Sequence, residues 1–449
     1  MNAYVESVIE YVKKKHANEP EFCQTVEEVF SSISPMIDKH PEYEKADLLT
    51  RMVEPERMFT FRVVWTDDNG QAHTNIGYRC QFNGAIGPYK GGLRFQANVT
   101  PSVIKFLGFE QTFKNSLTGL PMGGAKGGSD FDPAGKSDAE VMRFCQAYMS
   151  ALYRYIGPDI DVPAGDMGVG GREIGYLYGQ YRRLKGVWEN GVLTGKGFSY
   201  GGSLIRPEAT GYGAVYYLVE VLKHFGESIE GKRIAISGYG NVGWGIMKKA
   251  AQLGAKVTYF AGPDGYIHDP DGVTGEKLDF ILEMRAKDPM HCKPYADKYG
   301  VEFVPGTKCW GVKDVDIIMP AATQNDVNEE WAQKIIDSGV KYYIEVANMP
   351  TTNEALAMLR KCEHITVAPS KAVNAGGVAT SGFEMSQNSM RYSWTAEEVD
   401  ERLKVTMKNI YAASVEAAEK AGLGYDLVAG GNIAGFLRVA DAMIAQGLV

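Results

Sequence analysis

KRIAISGYGNVG (232–243) joins a short β-branched run to the spacing Gly238-x-Gly240-x-x-Gly243. A helix pattern follows to Leu253, and a second strand pattern covers residues 256–260. The order strand, glycine turn, helix, strand is typical of a dinucleotide-binding unit. Glycines allow the tight turn and the close approach of a pyrophosphate, which the N–H groups at the helix start then bind. We therefore predict that the segment from Gly238 to Gly243, Val242 included, contacts a dinucleotide cofactor.

The segments on either side extend this unit into a domain. Residues 209–224 have a helix pattern, and buried-strand candidates lie at 315–319, 342–346 and 365–368. Alternating strands and helices imply a parallel sheet, so the fold class is α/β with a Rossmann-like dinucleotide-binding domain. Near the C-terminus, Thr395-Ala-Glu-Glu398 resembles a capping box, and it opens a helix with an apolar stripe that we interpret as core packing.

The residue that reads the cofactor ribose is expected just after the second strand. Asp264 lies there and can accept hydrogen bonds from a 2′-hydroxyl while repelling a 2′-phosphate. No arginine or lysine lies between Lys256 and Lys277 to attract that phosphate, so NAD is favoured. Asp264 is further from the glycines than the usual ~20 residues, and Pro-Asp-Gly is also a common turn. NADP or dual use therefore remains open.

A second organisation precedes this domain. Residues 1–55 follow helical spacing, residues 57–80 alternate as strands around an Asp67–Gly70 turn, and 102–117 has a helix pattern. Glycine-rich loops then alternate with apolar segments to about residue 202. The chain therefore reads as two α/β domains.

Lysines among glycines are the second set of candidate functional residues. Lys126 lies in PMGGAKGG (121–128), Lys90 lies in GPYKGGLR (87–94), and Lys114 shares a helix with Gln111. A lysine held away from water loses part of its preference for being charged, and it can then act as an acid or a base. DVPAGDMG (161–168) places two carboxylates in another glycine-containing loop. A carboxylate beside a lysine is a candidate proton relay, whereas solvated lysines and an Asx turn at Asp161 are the alternatives.

Composition narrows the class of protein. The 449 residues carry a formal net charge of −8, which argues against a nucleic-acid or anionic-membrane partner. The six cysteines are widely spaced and the seven histidines show no HExxH cluster, so we predict no metal site and a reducing, cytoplasmic setting. The N-terminus has no signal-sequence pattern, and we expect no apolar run of membrane-spanning length.

The chain contains long specific motifs, which are FNGAIGPYKGGLRF (82–95), GFEQTFKNSLTGLPMGGAKGGSDFDP (108–133), DVPAGDMGVG (161–170), RPEATGYG (206–213), IMPAATQND (318–326), EVANMPTT (345–352) and APSKAVNAGGVATSGFEMSQN (368–388). These motifs resemble one family, the glutamate dehydrogenases, in the bacterial form that makes homohexamers. The resemblance implies a substrate and assembly domain at 1–203 and 424–449, and a nucleotide domain at 204–423. Substrate then lies in a cleft between the domains.

The resemblance also assigns roles to individual residues. Lys126 matches the catalytic lysine, and Asp166 matches the aspartate that assists proton transfer. Substrate contacts are implied at Lys90, Gln111, Lys114, Gly165 and Ser381, and cofactor contacts at Thr210, Asn241, Asn348 and Asn374. Lys114 and Gln111 match the group at the α-carboxylate, whereas Lys90 and Ser381 match the pair at the side-chain carboxylate.

The function implied is reversible NAD(P)-dependent oxidative deamination of L-glutamate to 2-oxoglutarate and ammonia, with NAD favoured. The alternative is a leucine- or phenylalanine-type amino-acid dehydrogenase, which resembles this chain around the lysine motif. Lys90 with Ser381 favours the dicarboxylic substrate, since a buried cation needs an anionic partner.

Overall fold

Two β-sheets, each packed against helices on both faces, form the protein in a computed structural model that describes residues 1–449. The helices are α1 (Ala3–Lys15), α2 (Pro20–Ile37), α3 (Pro41–Lys45), α4 (Leu48–Val53), α5 (Pro101–Leu117), α6 (Asp138–Leu152), α7 (Gly171–Lys185), α8 (Ala209–His224), α9 (Asn241–Gln252), α10 (Glu276–Lys287), α11 (Lys293–Tyr299), α12 (Glu329–Ser338), α13 (Asn353–Lys361), α14 (Ser370–Val373), α15 (Gly376–Met390), α16 (Ala396–Ala421) and α17 (Leu427–Gln446). The strands are β1 (Arg57–Thr66), β2 (Ala72–Asn83), β3 (Tyr89–Phe95), β4 (Gly124–Ser129), β5 (Asp161–Gly165), β6 (Arg233–Ser237), β7 (Lys256–Gly262), β8 (Gly265–His268), β9 (Glu302–Pro305), β10 (Ile317–Pro320), β11 (Tyr342–Ile344) and β12 (Thr366–Ala368). Short 3₁₀ turns lie at Tyr153–Tyr155, Asn190–Val192 and Phe198–Tyr200. The predicted α/β class is confirmed.

The first sheet has the strand order β1-β2-β4-β3-β5. β1 and β2 form the predicted antiparallel hairpin, β2 pairs antiparallel with β4, and β3 lies parallel to both β4 and β5. Helices α2, α5 and α17 pack on one face and α6 and α7 on the other. The stretches expected as glycine loops around Lys90 and Lys126 are thus strands β3 and β4.

Glycine in these strands allows backbones to approach closely. A Cβ at Gly91 of β3 would lie 1.6 Å from the Ala125 carbonyl oxygen of β4. No side chain fits there, which explains a composition that otherwise indicates a loop. Sequence patterns cannot distinguish the two cases, because the clash partner is 34 positions away in the chain.

The second sheet has the order β12-β11-β10-β6-β7-β8-β9. Pairing is parallel from β12 to β7, as predicted, and antiparallel for β8 and β9 at one edge. Side chains alternate between two cores, with Ile234 and Ile236 packing on one face and Ala235 on the other. Both faces are buried, which is why the strands read as continuous apolar runs.

Helix α16 confirms the capping box and the apolar stripe. Thr395 Oγ1 accepts from Glu398 N at 3.2 Å, and Thr395 N donates to Glu398 Oε2 at 2.8 Å. The stripe is fully buried and consists of Val399, Leu403, Met407 and Ile410. It is core packing, as interpreted.

The last helix, α17, returns to the first sheet and packs against α2 and α5. Ser116 Oγ donates to the Gly435 carbonyl at 2.8 Å, and the Arg438 guanidinium donates to the Ser116 carbonyl at 2.7 Å. This packing agrees with the predicted return of 424–449 to the N-terminal domain, although the boundaries at 203/204 and 423/424 stay predictions.

One helix has membrane-spanning length and composition, which corrects the expectation of no such run. α17 has 20 residues and a mean hydropathy of 1.3 over its most apolar window. Ile433, Phe436 and Val439 of this helix are fully buried in the protein core. The core position accounts for the apolar composition.

Candidate active site

Lys126 and Asp166 meet across strand β3 of the first sheet. Lys126 is on β4, Asp166 follows β5, and β3 runs between them. The Lys126 Nζ to Asp166 Oδ2 distance is 2.7 Å. A Cβ at Gly92 of β3 would lie 2.9 Å from Asp166 Cβ and 3.4 Å from Lys126 Nζ. The two side chains can therefore pair because the strand between them has no side chain at this position.

Burial and neighbouring charges shift the pKa values of Lys126 and Asp166. Burial lowers the pKa of Lys126, an effect that Asp166 opposes and Arg94 reinforces. Burial opposes ionisation of Asp166, but the charges of Lys126 and Arg94 outweigh it and lower the Asp166 pKa to about 2. Arg94 Nε donates to Asp166 Oδ2 at 3.0 Å. The site thus holds a carboxylate and an amine that gives up its proton more readily than a solvated lysine.

Lys90 is a buried lysine that forms no ion pair with a carboxylate. It lies on β3 with 1% of its surface exposed. Burial, with the charges of Arg79 and Arg206, lowers its pKa well below 10.5 against the attraction of Glu384 and Asp161. Those two carboxylates are engaged elsewhere, since Glu384 pairs with Lys196 and Asp161 with Arg79.

Ser381 is hydrogen-bonded to Arg206, the same residue whose charge acts on Lys90. Arg206 Nε donates to Ser381 Oγ at 3.2 Å, and Ser381 Oγ donates to the Gly377 carbonyl of α15 at 3.2 Å. Arg206 thus connects Ser381 to the neighbourhood of Lys90, and the amine, guanidinium and hydroxyl groups are of the kinds that bind a carboxylate. Arg206 was missed as a site residue, although its motif RPEATGYG was noted.

Helix α5 brings Gln111 and Lys114 to the same end of the sheet. Gln111 Nε2 donates to Asn115 Oδ1 at 2.7 Å, and Asn115 Nδ2 donates to the Lys90 carbonyl at 2.9 Å. Burial, reinforced by the charge of Lys126, lowers the pKa of Lys114 to about 8. Gly165 ends β5, and its carbonyl oxygen would lie 2.9 Å from a Cβ at Gly92. Gln111, Lys114 and Gly165 therefore lie near β3 and Lys126, whereas Ser381 is connected to this region through Arg206.

A buried ion pair supports α15 behind this pocket. Lys196 and Glu384 side chains are both 0% exposed, with Nζ and Oε1 2.7 Å apart. Glu384 also accepts from Gly195 N at 2.9 Å, and Lys196 Nζ donates to Asn388 Oδ1 at 2.9 Å. The pair connects the segment before residue 200 to the helix that carries Ser381.

Replacing Glu384 with glutamine should destabilise the folded protein by about 3–5 kcal/mol, since it leaves Lys196 charged and buried without its partner. Thermal unfolding at fixed protein concentration checks this. The double change Glu384→Met with Lys196→Met should recover much of the loss, and Lys293→Gln, in the exposed pair with Asp297, is the matched surface control. An unchanged melting temperature in Glu384→Gln would show that the pair does not hold α15.

The glycine fingerprint opens a cleft of about 950 Å³ at the carboxyl ends of β6, β7 and β10. Gly238, Gly240 and Asn241 line it, as predicted. Gly238 has φ +80°, a conformation that favours glycine. The cleft lies where the strand order reverses about β6, the usual ligand position in such sheets.

Gly243 and Val242 lie on the side of the turn that faces away from the cleft. A Cβ at Gly243 would lie 2.1 Å from the Gly238 carbonyl oxygen, and one at Gly211 of α8 would lie 2.4 Å from the Val242 carbonyl oxygen. Neither Gly243 nor Val242 lines the cleft. Their contribution is close packing of α9 against the turn and against α8.

Asp264 is placed differently from its predicted role. Its carboxylate accepts from Cys292 N at 3.0 Å and from Lys293 N at 3.3 Å, so it caps the start of α11. It does not line the cleft, although its neighbour Pro263 does. Pro263-Asp264 forms the β7–β8 hairpin turn, the alternative that the sequence left open. Both carboxylate oxygens of Asp264 accept backbone N–H groups, so the structure does not favour a hydrogen bond from Asp264 to the cofactor ribose.

Three further predicted cofactor residues lie outside this cleft, near α14 and α15. Asn374 Nδ2 donates to Val346 O at 2.9 Å and to Asn348 Oδ1 at 2.8 Å, while its own Oδ1 is buried without a partner. Thr210, in the first turn of α8, faces Gly377, where a Cβ would lie 2.5 Å from Thr210 Oγ1. A buried amide oxygen without a donor fits a ligand group that carries N–H.

Buried polar groups without partners therefore lie in the cleft and also beside α14, and such groups suit a ligand that carries hydrogen-bonding groups at both ends, as a dinucleotide does. Besides Asn374 Oδ1, these are Asp326 Oδ2 and one Arg285 nitrogen, both in cleft-lining residues. Asp326 and Arg285 were missed because they come from the loop after β10 and from α10, far from the fingerprint in sequence.

Family models match most of the chain. Residues 55–183 match the Glu/Leu/Phe/Val dehydrogenase dimerisation domain, and residues 201–447 match the glutamate/leucine/phenylalanine/valine dehydrogenase model. The NAD-specific glutamate dehydrogenase of Clostridium symbiosum is 66% identical over 449 residues, covering 100% of both chains. That of Bacteroides fragilis is 55% identical over 99% of this chain and 100% of its own. The NADP-specific enzyme of Haemophilus influenzae is 51% identical over 99% of each.

Solved structures show the same fold. A glutamate dehydrogenase structure with 66% identity superposes with a TM-score of 0.98 over 99% of each chain. The hetero-hexameric glutamate dehydrogenase from Thermus thermophilus, at 27% identity, gives a TM-score of 0.79 over 93% of this chain and 98% of its own. Sequence models, close relatives and structures agree along the whole length, and the chain belongs to the glutamate/leucine/phenylalanine/valine dehydrogenase family.

Proposed function

We propose that this protein catalyses the reversible NAD-dependent oxidative deamination of L-glutamate to 2-oxoglutarate and ammonia. The observation that carries the choice of substrate is Lys90, a buried lysine whose neighbouring carboxylates are both engaged with other cations. A buried charge is costly unless paired, so the pocket favours a ligand that brings a second carboxylate. The names of the most similar relatives agree with this choice.

Lys126 and Asp166 carry the proton transfers in this proposal. The Lys126 amine, with its lowered pKa, donates a hydrogen bond to the substrate carbonyl oxygen and activates the water that attacks the imine carbon. Asp166, 2.7 Å away, exchanges protons with the substrate amino group. A bound dinucleotide would supply the acceptor for the hydride that leaves the substrate Cα. Gly92, on the strand between Lys126 and Asp166, has no side chain to separate the two groups.

The substrate carboxylates bind at two places. Lys114 and Gln111 hold the α-carboxylate, and Gly165 contacts the substrate through its backbone. Lys90, with Ser381 and Arg206, holds the side-chain carboxylate. Charged contacts at both carboxylates orient Cα, which is how positioning lowers the barrier.

For the cofactor, Gly238, Gly240 and Asn241 contact the pyrophosphate, and Asn348, Asn374 and Thr210 lie at the nicotinamide end. Relatives at 66% and 55% identity are NAD-specific, whereas one at 51% is NADP-specific. NAD is therefore the proposed cofactor, with NADP use left to measurement.

A leucine- or phenylalanine-type dehydrogenase is the alternative activity within the family, and a substrate panel separates the two. Turnover is measured with 2-oxoglutarate and with 2-oxoisocaproate, each with NADH and with NADPH and ammonia. The proposal expects kcat/KM to be highest for 2-oxoglutarate with NADH. Faster reduction of 2-oxoisocaproate would overturn the substrate choice, and absence of turnover with every pair would overturn the enzymatic proposal.

We further propose a homohexamer located in the cytoplasm. The match of 55–183 to a dimerisation domain and the structural similarity to a hexameric relative support assembly. The six free cysteines are consistent with a reducing compartment. Light scattering of the purified protein measures the oligomer directly.

A further inference from the structure

Arg285 lines the glycine cleft but belongs to no motif. It lies near the end of α10, and its side chain reaches the start of α9, where Nη2 donates to Asn241 Oδ1 at 2.6 Å. Its guanidinium carbon is 6.0 Å from the centroid of the Trp244 ring. The other terminal nitrogen, Nη1, is buried without a hydrogen-bond partner. The guanidinium is thus held by Asn241, and its Nη1 hydrogen-bond donors have no partner.

Arg285 is also a cation without a counterion. Burial lowers its pKa, and no neighbouring carboxylate opposes the effect. The other cation that lines the cleft, Lys308, pairs with Asp326 Oδ1 at 2.8 Å. The positive charge of Lys308 is therefore neutralised by a carboxylate of the protein, whereas Arg285 has no such partner and can pair with a bound anion.

We propose that Arg285 binds the pyrophosphate of the dinucleotide. Its tether, Asn241, is the first residue of α9, whose free N–H groups and positive dipole end attract phosphate oxygens. A guanidinium held at this point adds a charged hydrogen-bond donor for the same phosphates. Its planar arrangement of N–H groups matches the geometry of phosphate oxygens. The inference rests on the proposed dinucleotide binding and adds to it a residue outside the fingerprint.

A 2′-phosphate is the competing anion, and the tether argues against it. The 2′-phosphate of NADP is expected beyond the end of β7, whereas Arg285 is hydrogen-bonded to the first residue of α9, where the pyrophosphate is expected. ADP, adenosine and 2′,5′-ADP separate the two readings, because only ADP and the dinucleotides carry the pyrophosphate.

The test compares Arg285→Gln with wild type, using Lys287→Gln as the matched control. Lys287 is exposed on the same helix and does not line the cleft. Dissociation constants are measured for NADH by fluorescence, and for ADP, adenosine and 2′,5′-ADP by competition. For Arg285→Gln we expect NADH and ADP to bind about 10- to 100-fold more weakly, the loss typical of a charged hydrogen bond. Adenosine affinity should be unchanged, and Arg285→Lys should lie between the two.

Several outcomes would overturn the inference. Equal weakening of adenosine and ADP would indicate a distorted cleft, weakening confined to 2′,5′-ADP would identify a 2′-phosphate contact, and unchanged ADP affinity would exclude any phosphate role. Failure of wild type itself to bind NADH would instead overturn the proposed function, so the two failures are distinguishable.

Discussion

Replacement of Lys126 by alanine should lower kcat for glutamate oxidation by at least the ~10²–10⁴-fold typical of general acid–base groups, with NADH affinity unchanged. The substitution removes the amine that pairs with Asp166. It also leaves Asp166 beside Arg94 alone, so the proton relay loses one partner while the carboxylate stays ionised. Initial rates together with NADH fluorescence titration measure both quantities.

The control for this change is Lys341→Ala, which removes an exposed lysine whose nearest carboxylate contact is 3.7 Å away. Its rate and cofactor affinity should match wild type. Wild-type turnover in Lys126→Ala would exclude the proposed mechanism, and loss of NADH binding would show that Lys126 acts through the fold of the cleft.

The same pair predicts a pH effect. Arg94 lowers the pKa of Lys126, so Arg94→Gln removes a repulsion on the ammonium form and raises that pKa. Because turnover needs the neutral amine, the acid limb of the kcat profile should move to higher pH when measured from about pH 6 to 10. Arg94→Lys keeps the charge and should keep the limb near its wild-type position. An unchanged acid limb together with an alkaline limb moved to higher pH would mean that the protonated form is the active one.

Replacement of Lys90 by leucine should reverse the choice of substrate. Truncating one side of a buried ion pair costs ~2–5 kcal/mol, or about 30- to 5,000-fold in kcat/KM for 2-oxoglutarate. The apolar pocket that results should accept 2-oxoisocaproate better than wild type does. The measurement is the ratio of the two kcat/KM values with NADH.

Lys105→Leu is the matched control, since Lys105 is another buried lysine and its partner, Glu19 at 2.9 Å, lies away from the site. It should leave the substrate ratio unchanged even where stability falls. If Lys90→Leu also leaves the ratio unchanged, Lys90 does not read the side-chain carboxylate, and Arg206 becomes the residue to test.

Much of the fold follows from local sequence. The β6–α9–β7 unit, the β1–β2 hairpin and the capping box of α16 agree with the sequence patterns to within a few residues. Each depends on neighbours in the chain, where side-chain period, turn chemistry and caps act over only a few positions. The motifs that surround Lys90, Lys126 and Asp166 identified the candidate site in the same way.

Contacts between distant residues are what the sequence could not specify. Glycine density indicated loops at 87–94 and 121–128, yet both contain strands. The glycines are needed there because a side chain at Gly91 would clash with the backbone of β4 and one at Gly92 would crowd Asp166. Asp161, a candidate Asx turn, instead forms a buried ion pair with Arg79 on β2. Asp264 follows the expected strand but caps α11, 28 positions further along the chain.

The sequence alone therefore specified the α/β class, the dinucleotide unit and the residue types of the chemistry. Tertiary packing alone specified which of them meet: Lys126 with Asp166 across Gly92, Arg206 with Ser381, and Arg285 with Asn241. The physical reason is that propensity and periodicity act within a few residues, whereas the charge, burial and unused hydrogen-bonding groups of a site arise from chain segments that approach only on folding.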